Sequence, residues 1–470
     1  MMDAATAVRA IAGKLLGANV RFDGVATDSR TLKAGDLFVA LKGGRFDGHD
    51  FVAQAFDRGA TAALVAADRA SAYEGRVGRS ILAVPDPLAA LGALAAYWRR
   101  GFTLPVVVIV GSNGKTTVKE MVAAILRMQF GGAQVHATVG NLNNEIGLPL
   151  SVLALRGAHR VAAFEIGMNH PGETAALAAI AQPTIAVINN AQREHQEFMS
   201  SVADVAAEHA AALNALPHDG VAVINADDDY ASFWREVVGR RNAEGASLQV
   251  RDFGLLSPAA VSARYRAEAW GSAVEVECPA GTTRFELRAP GRHSVANALA
   301  AIAAATAAGA GMDAIGKGLQ AFRPVAGRLD MKSGVSGVAI IDDTYNANPD
   351  SVRAAIAVLA KARGGRWLVL GDMGEVGAHG PAFHREIGEY ARAAGVDRLL
   401  TTGALAGHAV AAFGPGGEHF EDVDTLIAVL RRELGAESAV PTTLLVKGSR
   451  FMRMERVVAA LTNGAVQDVH

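Results

Sequence analysis

The sequence contains a single cysteine, Cys278, which excludes a disulfide within the chain and fits a reducing compartment. It also lacks an excess of charge of either sign. Forty-five Lys and Arg stand against 47 Asp and Glu, a formal net charge of −2. That balance gives no basis for binding nucleic acid or an acidic membrane surface. The opening MMDAATAVRAIAGKLLG has an early acid and no long apolar core, so it does not read as a secretory signal. The stretch closest to a membrane span, Val295 to Met312, is mostly alanine, is interrupted by Asn297 and Thr306, and has two glycines near its end. Alanine is only weakly apolar, so a packed helix is expected there, not an inserted one. No CxxC, HExxH or GxSxG occurs, which leaves structural zinc, zincin chemistry and a hydrolase elbow without support. There is no sustained fixed-period repeat. The expectation is a cytoplasmic protein, monomeric, with no membrane insertion.

What is present centres on residues 105 to 126, PVVVIVGSNGKTTVKEMVAAIL. Val106 to Val110 form an apolar β-branched run long enough for a buried strand. Val118, Met121, Val122, Ile125 and Leu126 then recur at the spacing of one helix face. Between them lie Gly111, Ser112, Asn113, Gly114, Lys115, Thr116 and Thr117. A strand, a glycine loop and a helix opening on Lys-Thr together suit a nucleoside triphosphate. Helix N-terminal N–H groups favour anions, glycines permit close backbone approach, and the lysine adds a point charge. The Thr116 hydroxyl is placed to reach Mg²⁺. A complete P-loop has a glycine five positions before the second one, and here that position is Ile109. The loop is therefore a shortened variant, and a chance glycine turn is the structural alternative.

At 470 residues the chain has room for two to four domains and ample core. Three α/β units are expected. Residues 1–86 hold short strands and two helices. Their polar middle contains Ser29 and Arg30, a strand from Leu37 to Leu41, and a loop with Lys42, Arg45, Phe46, Asp47 and His49. A basic loop after a strand suits an anion such as a diphosphate, and a solvated turn explains it equally well. Pro85-Asp86-Pro87 marks a boundary. Residues 87–325 alternate strands at 106–110, 161–166, 184–189 and 221–225 with helical patterns, which predicts a parallel sheet. An antiparallel extension over 248–289 and a helix over 292–309 follow. After Pro324-Val325-Ala326-Gly327-Arg328, residues 326–470 repeat the α/β pattern. Strands are expected at 338–342, 367–371, 398–402 and 443–447, with helices near 350–362, 381–394, 422–434 and 450–461. This last unit looks Rossmann-like but has no GxGxxG after its first strand, so a dinucleotide is not supported.

Polar residues gather where strands end, the edge at which open parallel sheets bind ligands. Glu165 is the expected second Mg²⁺ anchor, because hard cations take oxygen ligands. Asn189 and Asn190 are followed by His195, which by itself reads as a surface or hydrogen-bonding residue ahead of a ligand or catalytic group. Asp227 to Asp229 and Asp342-Asp343 end two further strands. DDTYNANPD, from Asp342 to Asp350, crowds a strand-to-helix turn, although capping alone would account for Asn348 or Asp350. Lys447-Gly448-Ser449-Arg450 places a hydroxyl and two cations at a later strand end.

Together GSNGKTT, GNLNNEIGLPL, FEIGMNHPGE, a His after NN, PGRHSVANALAA, GRL, DDTYNANPDS and VKGSR resemble the Mur ligases, in order and through the whole chain. Within that family they resemble most the members that add D-alanyl-D-alanine to UDP-N-acetylmuramoyl-tripeptide. The resemblance implies a uridine-nucleotide domain, a central ATP domain and a closing C-terminal domain. It would set Ser29, Arg30, Lys42, Arg45, Phe46, Asp47 and His49 around the UDP-sugar. Lys115 would meet the transferred phosphate, and Thr116, Glu165 and His195 would serve Mg²⁺. Asn297, Arg328 and Asp342 would bind the nucleotide, and Asn143 and Asn144 would line the acceptor side. Tyr345, Asn346, Asn348, Lys447 and Ser449 would lie near D-alanyl-D-alanine.

One departure from the family stands out. The family's carbamylated lysine, fourteen residues after the metal-site histidine and followed by Gly-Glu, is replaced by His209, followed by Ala210 and Ala211. HxEGFGS likewise becomes HQEFMSS, from His195 to Ser201. Histidine cannot form a lysine carbamate, so the expectation is a lost carbamate with retained activity. Either His209, Glu208 or water would take its place, or His209 is an ordinary helix residue. The sibling that adds diaminopimelate is disfavoured because DNPR is absent, and folylpolyglutamate synthetase by the uridine segment. An ATP-binding switch with little turnover is the alternative of another class.

Overall fold

The computed structural model describes residues 1–73, 79–435 and 441–462. The chain forms an N-terminal, a middle and a C-terminal α/β region, each built on its own large sheet.

The N-terminal sheet has five strands in the order Lys14–Leu16, Ser80–Val84, Ala62–Ala66, Asp36–Val39 and Gly24–Ala26. Ala62–Ala66 and, after Ser80, the strand Ser80–Val84 are apolar, as strands covered on both faces are. The strand expected over Leu37–Leu41 ends at Val39. The loop beyond it is closed by a bridge between Lys42 and Asp47.

The middle sheet has nine strands. Val106–Val110 lies between Ile185–Ile188 and Val161–Glu165, all parallel, and Val135–Ala137 forms one edge. The expected antiparallel extension needs correcting at its start. Gln249–Gly254 runs parallel to Val221–Asn225, because the helix Ala231–Ala243 carries the chain back across the sheet first. Only Val261–Glu268, Gly271–Cys278 and Gly281–Leu287, joined by tight turns, run antiparallel to one another. The alanine-rich stretch lies mostly in the helix Arg292–Ala307. Its Ala298 to Ala305 are buried against the sheet beside the helix Lys115–Phe130. Among the described residues no helix is long and apolar enough to cross a membrane.

The C-terminal sheet orders Asp330–Ser333, Ala339–Asp343, Thr442–Lys447, Gly365–Leu370, Arg398–Thr402 and Gly417–Phe420, antiparallel only at the first pair. Two edge strands and the helix Gly407–Phe413 were not expected from sequence. The helix expected from residue 450 starts at Glu455, because Arg453 adopts φ +51° after a short turn. Residues 463–470, inside the unit expected to run to 470, lie outside the described residues.

The regions are joined unequally. One apolar core runs from Val8, Leu64 and Leu82 through Leu91 and Leu94 to Val108, Phe164 and Trp234, so the N-terminal and middle regions share an interior. Among the described residues, the C-terminal cores are separate from it. That region meets the middle one through polar contacts. Arg193 pairs with Asp350 at 2.6 Å and Glu386 at 2.7 Å, and Asn113 exchanges hydrogen bonds with Asn348.

Candidate active site

A cavity of about 410 Å³ lies where the strand ends of the middle and C-terminal sheets face each other. Its lining includes Ser112 to Thr117, Asn143, Asn144, Glu165, Glu194, His195, Asn297, Arg328, Asp343, Tyr345, Asn346, Asn348 and Lys447.

The glycine loop is shaped by two positive-φ glycines, Gly111 at +141° and Gly114 at +82°. A Cβ on Gly114 would lie 2.5 Å from Asn297 Oδ1 and 2.7 Å from Asn189 Nδ2, so a side chain there is excluded sterically as well as conformationally. The strand-end asparagines act as braces. Asn189 and Asn190 both donate to the Asn113 carbonyl, Asn190 accepts from the Asn113 N–H, and Asn189 donates to Asn297. The helix Lys115–Phe130 begins without a side-chain cap, which leaves its first N–H groups available at the cavity.

Thr116 Oγ1 donates to Glu165 Oε2 at 2.7 Å, and Asn143 Nδ2 donates to Glu165 Oε1 at 2.7 Å. Glu165 is 2% exposed and fixed in this position. Lys115 Nζ contacts the carbonyls of Gly111 and Ser112 and, at 3.4 Å, Glu194 Oε2. Burial pushes the Glu194 carboxyl up, but Lys115 foremost, then His209 and His195, outweigh it and hold it at about 2. His195 sits at φ +48°, with Nδ1 2.8 Å from Glu375 Oε2 and Nε2 3.7 Å from Glu194. Glu375 is itself at φ +58°. Two strained non-glycine residues thus meet across the cleft.

At the facing edge, Lys447 Nζ bonds Asp343 at 2.5 Å and the Asn346 carbonyl at 2.8 Å. Arg328 lies over the Tyr345 ring at 3.9 Å. His293 borders the same space, and burial pushes its pKa down to about 4 against the opposing pull of Asp343.

Some expected residues fall elsewhere. Asp342 is outside the cavity lining and pairs with Lys332 and Thr344. Successive residues of a strand face opposite sides, so Asp343 takes the inward place. Ser449 stays behind the lining, donating to the Ala347 carbonyl and accepting from the Gly374 N–H. Asp227 and Asp228 tie loops together through backbone N–H groups. The N-terminal set lines no part of this cavity. There Ser29 bonds Gln54, Arg30 pairs with Asp28, and buried His49 bridges Asp47 and the Ala66 N–H. Arg30, Lys42, Arg45 and Phe46 are exposed, so they are the members of that set open to a ligand.

The sequence matches family models described as "Mur ligase family, catalytic domain" over residues 21–99, "Mur ligase middle domain" over 109–305 and "Mur ligase, glutamate ligase domain" over 327–450. It is 40% identical over 454 residues to UDP-N-acetylmuramoyl-tripeptide--D-alanyl-D-alanine ligase of Escherichia coli strain K12, covering 96% of each chain. The chain belongs to the Mur ligase family. The crystal structure of MurF from Acinetobacter baumannii superposes with a TM-score of 0.88 at 31% identity, over 98% of both chains. MurF of Thermotoga maritima in complex with ADP gives 0.78 at 26% identity, over 93% of this chain and 96% of that one.

Within this Mur ligase the position of the missing lysine is clear. His209 is buried on the helix Val202–Asn214, with Nε2 3.2 Å from Glu194 Oε1 but off the hydrogen-bond direction. Glu208 points away and accepts from the Gly172 and Thr174 N–H groups at the start of the helix Glu173–Ala181. Of the substitutes considered, Glu208 is therefore occupied elsewhere, and His209 faces a carboxylate. Glu194, Arg193, His293 and Glu375 were missed from sequence. The only signal was the run Arg193-Glu194-His195, which reads as a solvated turn unless its burial is known.

Proposed function

We propose that this Mur ligase adds D-alanyl-D-alanine to UDP-N-acetylmuramoyl-tripeptide at the expense of ATP, in peptidoglycan precursor synthesis. The observation that carries the reading is that a single cavity joins the phosphate loop to the Asp343–Lys447 edge of the other domain. The near full-length relation to the Escherichia coli D-alanyl-D-alanine ligase supports the choice of substrates. In this reading residues 1–86 hold the uridine nucleotide, 87–325 ATP and 326–470 the incoming dipeptide, in a cytoplasmic monomer.

A carboxylate is a poor electrophile. The tripeptide's terminal carboxylate attacks the γ-phosphorus, ADP leaves, and an acyl phosphate forms. The amine of D-alanyl-D-alanine then adds to the acyl carbon, loses a proton, and phosphate departs from the tetrahedral intermediate. Lys115 and the helix N-terminus neutralise the phosphate charge as the two anions approach. Asn297 holds the loop from beneath, and Arg328 with Tyr345 borders the nucleotide. Asn143 and Asn144 face the acceptor, and Tyr345, Asn346 and Asn348 face the dipeptide. Lys447, paired with Asp343, orders the Asn346 turn, while Ser449 buttresses it.

Mg²⁺ fits the donors present. Thr116 and Glu165 offer hard oxygens 2.7 Å apart, and among the described residues no group of three or more His, Cys, Asp or Glu could hold an ion alone. This suits an ion that keeps water and phosphate oxygens as most of its ligands. When bound, it would draw charge from the phosphate oxygens. Without a lysine at 209, activity is independent of added bicarbonate.

The test supplies ATP, Mg²⁺, the UDP-muramoyl-tripeptide and D-alanyl-D-alanine, and measures phosphate release with each omitted in turn. Release is expected only with the complete set. Release that ignores both the acceptor and the amine would sink the ligase reading.

A further inference from the structure

We propose that Glu194 is a ligand for a divalent cation that enters with the nucleotide, distinct from one held by Thr116 and Glu165, and that His209 positions it. The inference rests on the reading of the cavity as an ATP site. Glu194 is 6% exposed yet borders the cavity. Its Oε1 is buried with no hydrogen-bond donor. Its Oε2 is held by Lys115 Nζ at 3.4 Å, the nearest fixed cation.

Nucleotide phosphates compete with Glu194 for the Lys115 ammonium, whose hold on the carboxylate is already long at 3.4 Å. When its ammonium turns to a phosphate, Glu194 is left in the interior facing only imidazoles. Its neighbours there are His195 Nε2 at 3.7 Å and His209 Nε2 at 3.2 Å. A buried carboxylate deprived of its cation is strongly unfavourable, and the guanidinium of the adjacent Arg193 is already committed to Asp350 and Glu386. A divalent ion arriving with the phosphates restores the balance, because it brings two positive charges where Lys115 withdrew one. Carboxylate oxygen is the donor that Mg²⁺ and Mn²⁺ prefer, and the adjacent imidazole of His195 can complete the set. His209 is 1% exposed on the helix Val202–Asn214, and neither ring nitrogen has a hydrogen-bond partner. It stands behind Glu194 as a wall that fixes the carboxylate toward the loop. It touches no reacting atom, so it is a positioning residue.

The full-length chain is titrated with Mn²⁺ in the presence of saturating β,γ-methylene-ATP, and free Mn²⁺ is followed by electron paramagnetic resonance. Nucleotide affinity is measured separately in EDTA. The wild type is expected to take two Mn²⁺ per nucleotide. Glu194→Gln is expected to keep one and to weaken the second at least tenfold, while Glu194→Asp retains it in part and His209→Gln loses less than Glu194→Gln. In EDTA, Glu194→Gln binds the nucleotide at least as well as the wild type, because Lys115 is released from its partner.

Three results overturn the inference. They are a wild type holding a single Mn²⁺ with bound nucleotide, a Glu194→Gln variant holding two with unchanged affinity, and a Glu194→Gln variant that loses nucleotide binding in EDTA. A wild type that binds no nucleotide at all defeats the ATP reading itself, and this inference falls with it.

Discussion

Lys447 is 3% exposed, and its charge is answered by Asp343 and one backbone carbonyl. Removing one member of a buried pair leaves the other uncompensated, at a cost of about 3–5 kcal/mol. Asp343→Asn is therefore expected to destabilise the C-terminal region by that order in urea denaturation. Asp343→Leu with Lys447→Met should lose much less, since both charges go together. Residues of this kind mark where the sequence stops being legible. The pair Asp342-Asp343 announced a polar strand end, but which acid faces the cavity depends on the pairing of Asp343 opposite Lys447, more than a hundred residues away. Glu194 was harder still. Nothing in Arg193-Glu194-His195 indicates that a helix carrying His209 and a loop carrying Lys115 will enclose it.

At the scale of elements, the strand, glycine loop and helix around Lys115 were readable because their signals are local: a β-branched run, two glycines and a 3.6-residue period. The helix over the alanine-rich stretch was readable for the same reason. The braces beneath the loop were not, since Asn189 and Asn297 reach it from separate elements. Gly114→Val tests what they do. Its backbone alone costs roughly 1–2 kcal/mol in the left-handed region, and its side chain would displace the Asn189 and Asn297 amides. Calorimetry is expected to show ADP binding weakened more than tenfold, with far-UV circular dichroism unchanged. Binding within twofold of the wild type would mean that the loop tolerates another shape. The Gln249–Gly254 strand shows the opposite case. Its direction was set by the preceding helix, so alternation alone pointed the wrong way.

For the whole molecule, the C-terminal region is held against the middle one by charge and amides. Arg193 is the centre of that contact, joined to Asp350 and Glu386, with Arg353 also on Glu386. The Arg193 hydrogen bond is the main reason the Glu386 carboxyl titrates below its ordinary value, with burial opposing it. A carboxyl held low contributes fully at neutral pH and is lost as the pH falls through that lowered value. Small-angle scattering should therefore give one radius of gyration across pH 6 to 8 and an increase only once the pH falls below the ordinary glutamate range. Arg193→Ala should raise it already at neutral pH, since each half-exposed pair contributes roughly 0.2–1 kcal/mol. An unchanged radius in that variant would place the contact's strength elsewhere.

The interior shared by the N-terminal and middle regions bears on how such a chain can be rebuilt. Val8, Leu64 and Leu82 belong to the same packed body as Leu91, Phe164 and Trp234. A chimera that exchanges only the first region for a relative's would therefore cut through a fitted interface, leaving voids or overlaps along the helix Pro87–Arg99. The C-terminal region has no such entanglement and can be exchanged by matching a handful of surface charges. Recombination among relatives should accordingly tolerate breakpoints near Pro324 and reject those near Pro85.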